Sequence, residues 1–562
     1  MGATLWATAA PARATQVVAS AAPEATTDCR IAGLRNTVRC GVLRRALDPA
    51  RPDGPQIDVH YAVVPAIARR KRPDPVFVLA GGPGQSAIDV APVMTALLSR
   101  LGNRRDIVFV DQRGTGRTQP LQCKTPVSEG LADVFDPDRQ AQQLARCRAE
   151  LLAQRRINAA DDLRFFTTTL AMQDLDAVRA AIGAERINLV GVSYGTRAAL
   201  EYQRQFPARV RRSVIDGVAP PDMVLPASFA IDGRAAFDAM LAACEAEPAC
   251  AAAHPALRAD WAALLQRLPQ TARVADPLTG QPQSLVLTRD VLLGAVRGPL
   301  YSPALASALP VAISAAARGD FAALMGLGGA LGSQRGGAVA LGMHFSVVCA
   351  EDMPLLERGA GVATAANVKT NANASAGAGA SASANASTSA SASPSPRASA
   401  SASASASSGA GAGANAGSDP SAIAGISTAS GDGSLHLYRR VCADWPRGDV
   451  PAAFYAVPAS ATPVLLLSGG LDPATPPRHG ARVARALGAL ARHVVVPHAG
   501  HGVMGLGCLR EVVHRFIDAA EDADVLAVDA GCAVGIPRPL AFRPVGSGTS
   551  AGSGGPAQSP PR

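Results

Sequence analysis

Residues 188–200 read NLVGVSYGTRAAL. An apolar run ends at Gly191, a serine sits between two glycines in Gly191-Val192-Ser193-Tyr194-Gly195, and helix-forming residues follow. Glycines flanking a serine in this way permit a strained strand-to-helix turn that presents the hydroxyl at its tip. A hydroxyl is a weak nucleophile at neutral pH. It needs a base beside it, a group that orients the base, and donors already in place for the developing oxyanion. Taken alone, the pentapeptide fits a small residue in a tight turn as well as it fits a nucleophile, so the rest of the chain decides.

Further apolar runs recur at Val76–Ala80, Asp106–Val110, Ser213–Ile215, Val464–Leu467 and His493–Val496, each ending in glycine, proline or aspartate. Short buried runs alternating with helical spacing predict an α/β fold with a mainly parallel sheet. Such folds place their sites in the loops at the carboxyl ends of the strands. Gly81-Gly82-Pro83-Gly84 follows the first of these runs, and Leu471-Asp472-Pro473-Ala474-Thr475-Pro476 follows the fourth. His498-Ala499-Gly500-His501-Gly502 follows the last. The order serine, aspartate, histidine is that of an α/β-hydrolase triad. The expected roles are Ser193 as nucleophile, His501 as general base and Asp472 as the carboxylate that orients it. Backbone N–H groups of Tyr194 and Gly82 are the expected oxyanion donors. His501 is preferred to His498 because glycines on both sides let its ring project from a loop, whereas His498 follows Pro497 close to the strand end.

Between Ala219 and about Tyr438 the strand signal fades, and residues 227–268 and 288–331 carry helical spacing with Trp261 and Leu264 on the face expected to be buried. This is an expected helical cap inserted into the main sheet. The stretch 364–430 is dominated by alanine, serine and glycine and has almost no large apolar side chain, so burial cannot offset its ordering entropy. The expected organisation is therefore a leader remnant or disordered segment at 1–27 and the first part of the core at 28–218. A mostly helical cap follows at 219–363, then a low-complexity disordered insertion at 364–430. The second part of the core spans 431–544, with a disordered tail at 545–562.

A formal charge of +9 over 562 residues raises the question of nucleic acid. The densest basic cluster, Arg69-Arg70-Lys71-Arg72, has no interleaved aromatic residue, and Lys71, Lys124 and Lys369 are the only lysines. No nucleic-acid partner is expected. No apolar run reaches 18 residues, so no membrane span is expected either. The ten cysteines fall into sequential couples. Short loop closure favours Cys29–Cys40, Cys123–Cys147, Cys244–Cys250, Cys349–Cys442 and Cys508–Cys532. Such bonds persist in oxidising compartments, so a secreted or periplasmic protein is expected. The first 27 residues look like the end of a signal peptide whose basic start is missing.

With these residues in hand, the chain resembles the secreted α/β-hydrolase peptidases of the tripeptidyl aminopeptidase and proline iminopeptidase family. The matching stretches are GGPG at 81–84, DQRGTGRT at 111–118, GVSYGTRAAL at 191–200, SVVCAEDMP at 346–354, GGLDPATPP at 469–477 and HAGHG at 498–502. Cys442-Ala443-Asp444-Trp445-Pro446 adds to the likeness of the C-terminal part to the tripeptidyl aminopeptidase branch. The resemblance implies an α/β-hydrolase fold with a helical cap, and removal of residues from a free amino end through an acyl-enzyme on Ser193. It implies a peptide substrate and no metal or organic cofactor. An ammonium in a closed pocket calls for carboxylates, and Glu351 and Asp352 are the expected pair. Two departures stand out: Ala80 precedes GGPG where many iminopeptidases carry histidine, and the insertion follows the SVVCAEDMP segment closely. An esterase on the same scaffold is the alternative, and a non-catalytic binding protein a further one. The oligomeric state is left open.

Overall fold

Runs such as Val76–Leu79 and Ile107–Val110 contain no charged residue, and a strand of this kind is stable only when both of its faces are covered. The structure, a computed structural model, describes residues 26–123, 137–275, 280–329, 339–358 and 432–542. Within them a nine-stranded sheet runs in the order β1-β2-β3-β5-β4-β6-β7-β10-β11. The central strands are β4 (Val76–Leu79), β5 (Ile107–Val110), β6 (Ile187–Val192), β7 (Val210–Asp216), β10 (Val464–Gly469) and β11 (Ala491–Val496), all mutually parallel. Alternate side chains feed two cores. Phe77, Leu79, Val108 and Leu189 enter one, and Val76, Val78, Phe109 and Val190 the other. Each such buried side chain contributes roughly 1.5–3 kcal/mol relative to exposure.

Three antiparallel strands, β1 (Thr27–Cys29), β2 (Val38–Ala46) and β3 (Gln56–Val64), extend the sheet at its β5 edge. The sequence reading did not anticipate them. Partly exposed and arginine positions are interspersed along β2, and in β3 the uncharged run Tyr61–Val64 is preceded by the alternating stretch Gln56–His60. Between β7 and β10 lies the region expected as a cap, which includes the helices Leu225–Ala246, Arg289–Leu300 and Leu309–Ala317 around a separate core containing Phe237, Trp261, Leu264 and Leu292. It also holds an unanticipated hairpin of β8 (Gln270–Ala275) and β9 (Pro282–Leu287).

Five disulfides are present: Cys29–Cys40, Cys123–Cys147, Cys244–Cys250, Cys349–Cys442 and Cys508–Cys532. A set of this kind fits a protein of an oxidising, extracytoplasmic compartment. Cys349–Cys442 ties the helix Leu341–Glu351 to the helix Asp432–Ala443 with a Cα–Cα distance of 5.1 Å. The expected insertion at 364–430, most of the segment 1–27 and the tail 545–562 lie outside the described residues. Among the described residues no helix is long and apolar enough to cross a membrane.

Candidate active site

Ser193 is the hinge between β6 and the helix Tyr194–Gln205, with φ 57° and ψ −123°. A non-glycine residue in this region is strained and persists only where its surroundings over-determine it. Here the Ser193 N–H donates to the Asp216 carbonyl at 2.9 Å, and its carbonyl accepts from the Thr196 hydroxyl at 2.6 Å. The glycines are required by close approach. A Cβ on Gly191 would lie 2.4 Å from the Gly195 carbonyl oxygen, and one on Gly195 would lie 2.1 Å from that of Leu79. Tyr194 opens the helix, where backbone N–H groups have no partner within the helix and carry the positive end of its dipole.

Asp472 and His501 stand on the loops after β10 and β11. The imidazole Nδ1–H donates to Asp472 Oδ2 at 2.8 Å, which leaves Nε2 as the basic nitrogen. Asp472 is 1% exposed and fully satisfied. Its Oδ1 accepts from the N–H groups of Ala474 (2.8 Å) and Thr475 (2.9 Å), and its Oδ2 also accepts from the Thr475 hydroxyl at 2.8 Å. Burial pulls the carboxyl pKa up, but His501 and these bonds outweigh it and hold Asp472 below its ordinary value. For His501, burial works against the charged form. The Asp472 carboxylate more than offsets it, so its pKa lies above 6.5. His498 is exposed on the same loop.

Sequence inspection missed the supports of this pair. Tyr301 of the cap accepts a bond from the His501 N–H at 3.0 Å and meets the imidazole edge-on at a centroid distance of 5.1 Å. Asp216, at the end of β7, accepts from the Val503 and Met504 N–H groups and so pins the loop beyond His501. Thr475 carried a signal, as a hydroxyl three residues after an aspartate. Tyr301 carried none.

The GGPG loop faces Ser193: a Cβ on Gly81 would lie 3.2 Å from that of Ser193. DQRGTGRT acts behind it. Asp111 accepts from Ser86 Oγ (2.7 Å), the Ile88 N–H (3.1 Å) and the Arg117 N–H (2.9 Å), clamping the chain just past the glycines. Arg113 is buried against Asp174 at 2.8 Å and donates to the carbonyls of Leu47 and Phe165. Ala340 N–H bonds to the Gly84 carbonyl at 2.9 Å. Burial depresses His344 to about 4, so the ring is neutral; it lies 2.7 Å from the Tyr438 hydroxyl.

A cavity is walled by Ser193, Tyr194, Gly82, Arg197, Arg297 and Tyr301 together with apolar side chains such as Met223 and Phe229. Glu351 and Asp352 are not on that wall. Both are 0% exposed and lie behind Arg197, whose Nη1 is 2.7 Å from Asp352 and 3.6 Å from Glu351. Glu351 also accepts from the N–H and hydroxyl of Thr168 at 2.7 and 2.9 Å. Burial pushes Glu351 up to about 7 against the pull of Arg197. The Thr168 hydroxyl lies 2.7 Å from the Tyr194 phenol.

Comparison with known proteins agrees with this architecture. A family model described as the α/β hydrolase fold matches residues 74–295, and one described as TAP-like protein matches residues 431–525. The chain has the α/β-hydrolase fold, and its C-terminal region is similar to TAP-like proteins. The chain is 33% identical over 199 residues to the tripeptidyl aminopeptidase of Streptomyces lividans, a match covering 34% of this chain and 36% of that one. It is 29% identical over 288 residues to serine protease Hip1 of Mycobacterium tuberculosis, covering 47% and 53%. It is 28% identical over 227 residues to carboxylesterase B of the same species, covering 38% and 43%. The chain thus spans about a third to a half of the length of the curated relatives it matches.

Proposed function

We propose that the protein is a serine exopeptidase that removes residues from the free amino end of short peptides. In the proposed reaction Ser193 Oγ attacks the scissile carbonyl while His501 Nε2 takes its proton. Asp472 steadies the resulting imidazolium, and the N–H groups of Tyr194 and Gly82 bind the oxyanion. Collapse expels the amine, which receives the proton from His501. Water, deprotonated by the same nitrogen, then releases the acyl group. The proposal is supported by the strained Ser193 elbow in the wall of a cavity that Thr475 also lines, together with the hydrogen bonds that the buried Asp472 accepts from His501 and Thr475. The peptide as substrate is supported by the similarity to two peptidases, tripeptidyl aminopeptidase and serine protease Hip1.

Recognition of the ammonium by Glu351 and Asp352 requires Arg197 to release Asp352, because both carboxylates are already bonded. A panel of peptidyl chromogenic amides with N-acetylated counterparts tests the amino-end requirement. Turnover of free amides well above the blocked ones is expected. Equal rates would remove the aminopeptidase reading and leave a serine hydrolase. The esterase alternative is favoured by the resemblance to carboxylesterase B, and hydrolysis of simple esters with no amide turnover would establish it.

A further inference from the structure

Two guanidinium groups reach the cavity wall, and their surroundings differ. Arg197 is neutralised by Asp352 and Glu351 behind it and donates from Nη2 to the Met223 carbonyl at 2.7 Å. Arg297 has no carboxylate within ion-pair distance among the described residues. Its Nη2 donates to the Tyr301 hydroxyl at 3.1 Å, and its head lies 4.2 Å from the Phe229 ring centroid. Its Nε is buried with no hydrogen-bond partner among the described residues. A cation over an aromatic face recovers about 0.5–2 kcal/mol, less than the several kcal/mol of removing a charge from water. The stem is held in place: Gly233 passes so close that a Cβ there would lie 3.3 Å from Arg297 Cδ. The neighbouring carboxylate on that helix, Asp232, is turned to Arg478 and His479. A half-buried guanidinium with donors left over on the wall of a cavity matches a bidentate acceptor.

We propose that Arg297 anchors a carboxylate of the substrate, so that the enzyme selects short peptides bearing a negative charge close to the scissile bond. This rests on Ser193 being the nucleophile of that cavity. The carboxylate belongs either to an acidic side chain or to the free carboxyl end of a short peptide. Arg297 is also coupled to the base: its charge opposes protonation of His501, and Tyr301 touches both residues.

The test compares kcat/KM for peptides matched except for Glu against Gln beside the scissile bond, and for peptides with a free against an amidated carboxyl end. Wild-type protein should favour the charged member of one pair by at least about tenfold, the scale of a charge-assisted hydrogen bond. Preference in the first pair assigns the side chain, and preference in the second the terminus. Arg297→Gln should bring that ratio to about one, and Arg297→Lys should keep part of it. In Arg297→Gln the acid limb of kcat/KM should also move to higher pH, since kcat/KM reports the free enzyme. The wild-type ratio needs no variant to fold, and a ratio near one in both pairs overturns the proposal. So does a preference that survives Arg297→Gln. Labelling by a fluorophosphonate separates the two levels. Wild-type protein that labels at Ser193 yet shows no charge preference refutes the Arg297 anchor alone, whereas failure to label refutes the nucleophile beneath it.

Discussion

Ser193 adopts a backbone conformation that costs of order 1–3 kcal/mol, held by bonds to Asp216 and Thr196 and by glycines that no larger residue could replace. Its hydroxyl makes none of those bonds, so Ser193→Ala should leave the thermal transition nearly unchanged while lowering kcat on the order of 10⁶-fold. Calorimetry beside single-turnover kinetics checks both halves, and retained turnover would refute the nucleophile. His501 supplies a second expectation. Its pKa is raised above 6.5, and only the neutral ring can accept the serine proton. Activity should therefore fall as pH drops through that raised value, and Asp472→Asn should cost roughly 10³–10⁴-fold in kcat. A pH–rate profile flat from about pH 5 to 8 would contradict the role of His501. These three residues were legible in the sequence because each ends a strand in a short glycine- or proline-marked loop. Arg297 and Tyr301 were not, since they lie on cap elements with no motif of their own.

Among the elements, the helix Leu341–Glu351 links the parts of the site. At one end Ala340 holds the Gly84 carbonyl, and at the other Glu351 reaches Thr168 beneath Tyr194. The Cys349–Cys442 bond joins this helix to Asp432–Ala443 across a sequence separation of 93 residues. Closing so long a loop constrains the unfolded chain strongly, with an expected stabilisation on the order of 4 kcal/mol. Replacing both cysteines by alanine should lower the denaturation midpoint accordingly and loosen the oxyanion loop. A loss below about 1 kcal/mol would show that the link contributes little. DQRGTGRT reads as a motif in the sequence, but its observed contacts are architectural: Asp111 holds the chain just past the glycine turn, Arg113 joins Asp174 to the carbonyls of Leu47 and Phe165, and neither lines the cavity.

Across the molecule, two buried acids give stability a definite pH dependence. Burial pushes Glu351 up to about 7 from 4.5 and Asp216 up to about 6 from 3.8. The folded protein therefore binds these protons more tightly than the unfolded chain. Their contribution is complete below the unfolded values and is lost as pH rises through about 6 to 7. The melting temperature should decline between about pH 4 and 7, and Glu351→Gln should flatten that decline. An unchanged slope in the variant would sink the assignment of Glu351.

Primary structure alone dictated the parallel central sheet, because uncharged runs such as Val76–Leu79 and Ile107–Val110 are stable only when covered on both faces. It also dictated the elbow, because only glycine tolerates the approaches at positions 191 and 195. Local pattern carries that much, since strand burial and turn geometry are short-range properties. Tertiary structure decided what the carboxylates at 351 and 352 do: Arg197, more than 150 residues earlier, bonds them before any ligand arrives. It also left Arg297 as a cavity-wall cation without a carboxylate partner among the described residues. Charge compensation depends on which side chains meet across the fold, and sequence spacing does not record those meetings.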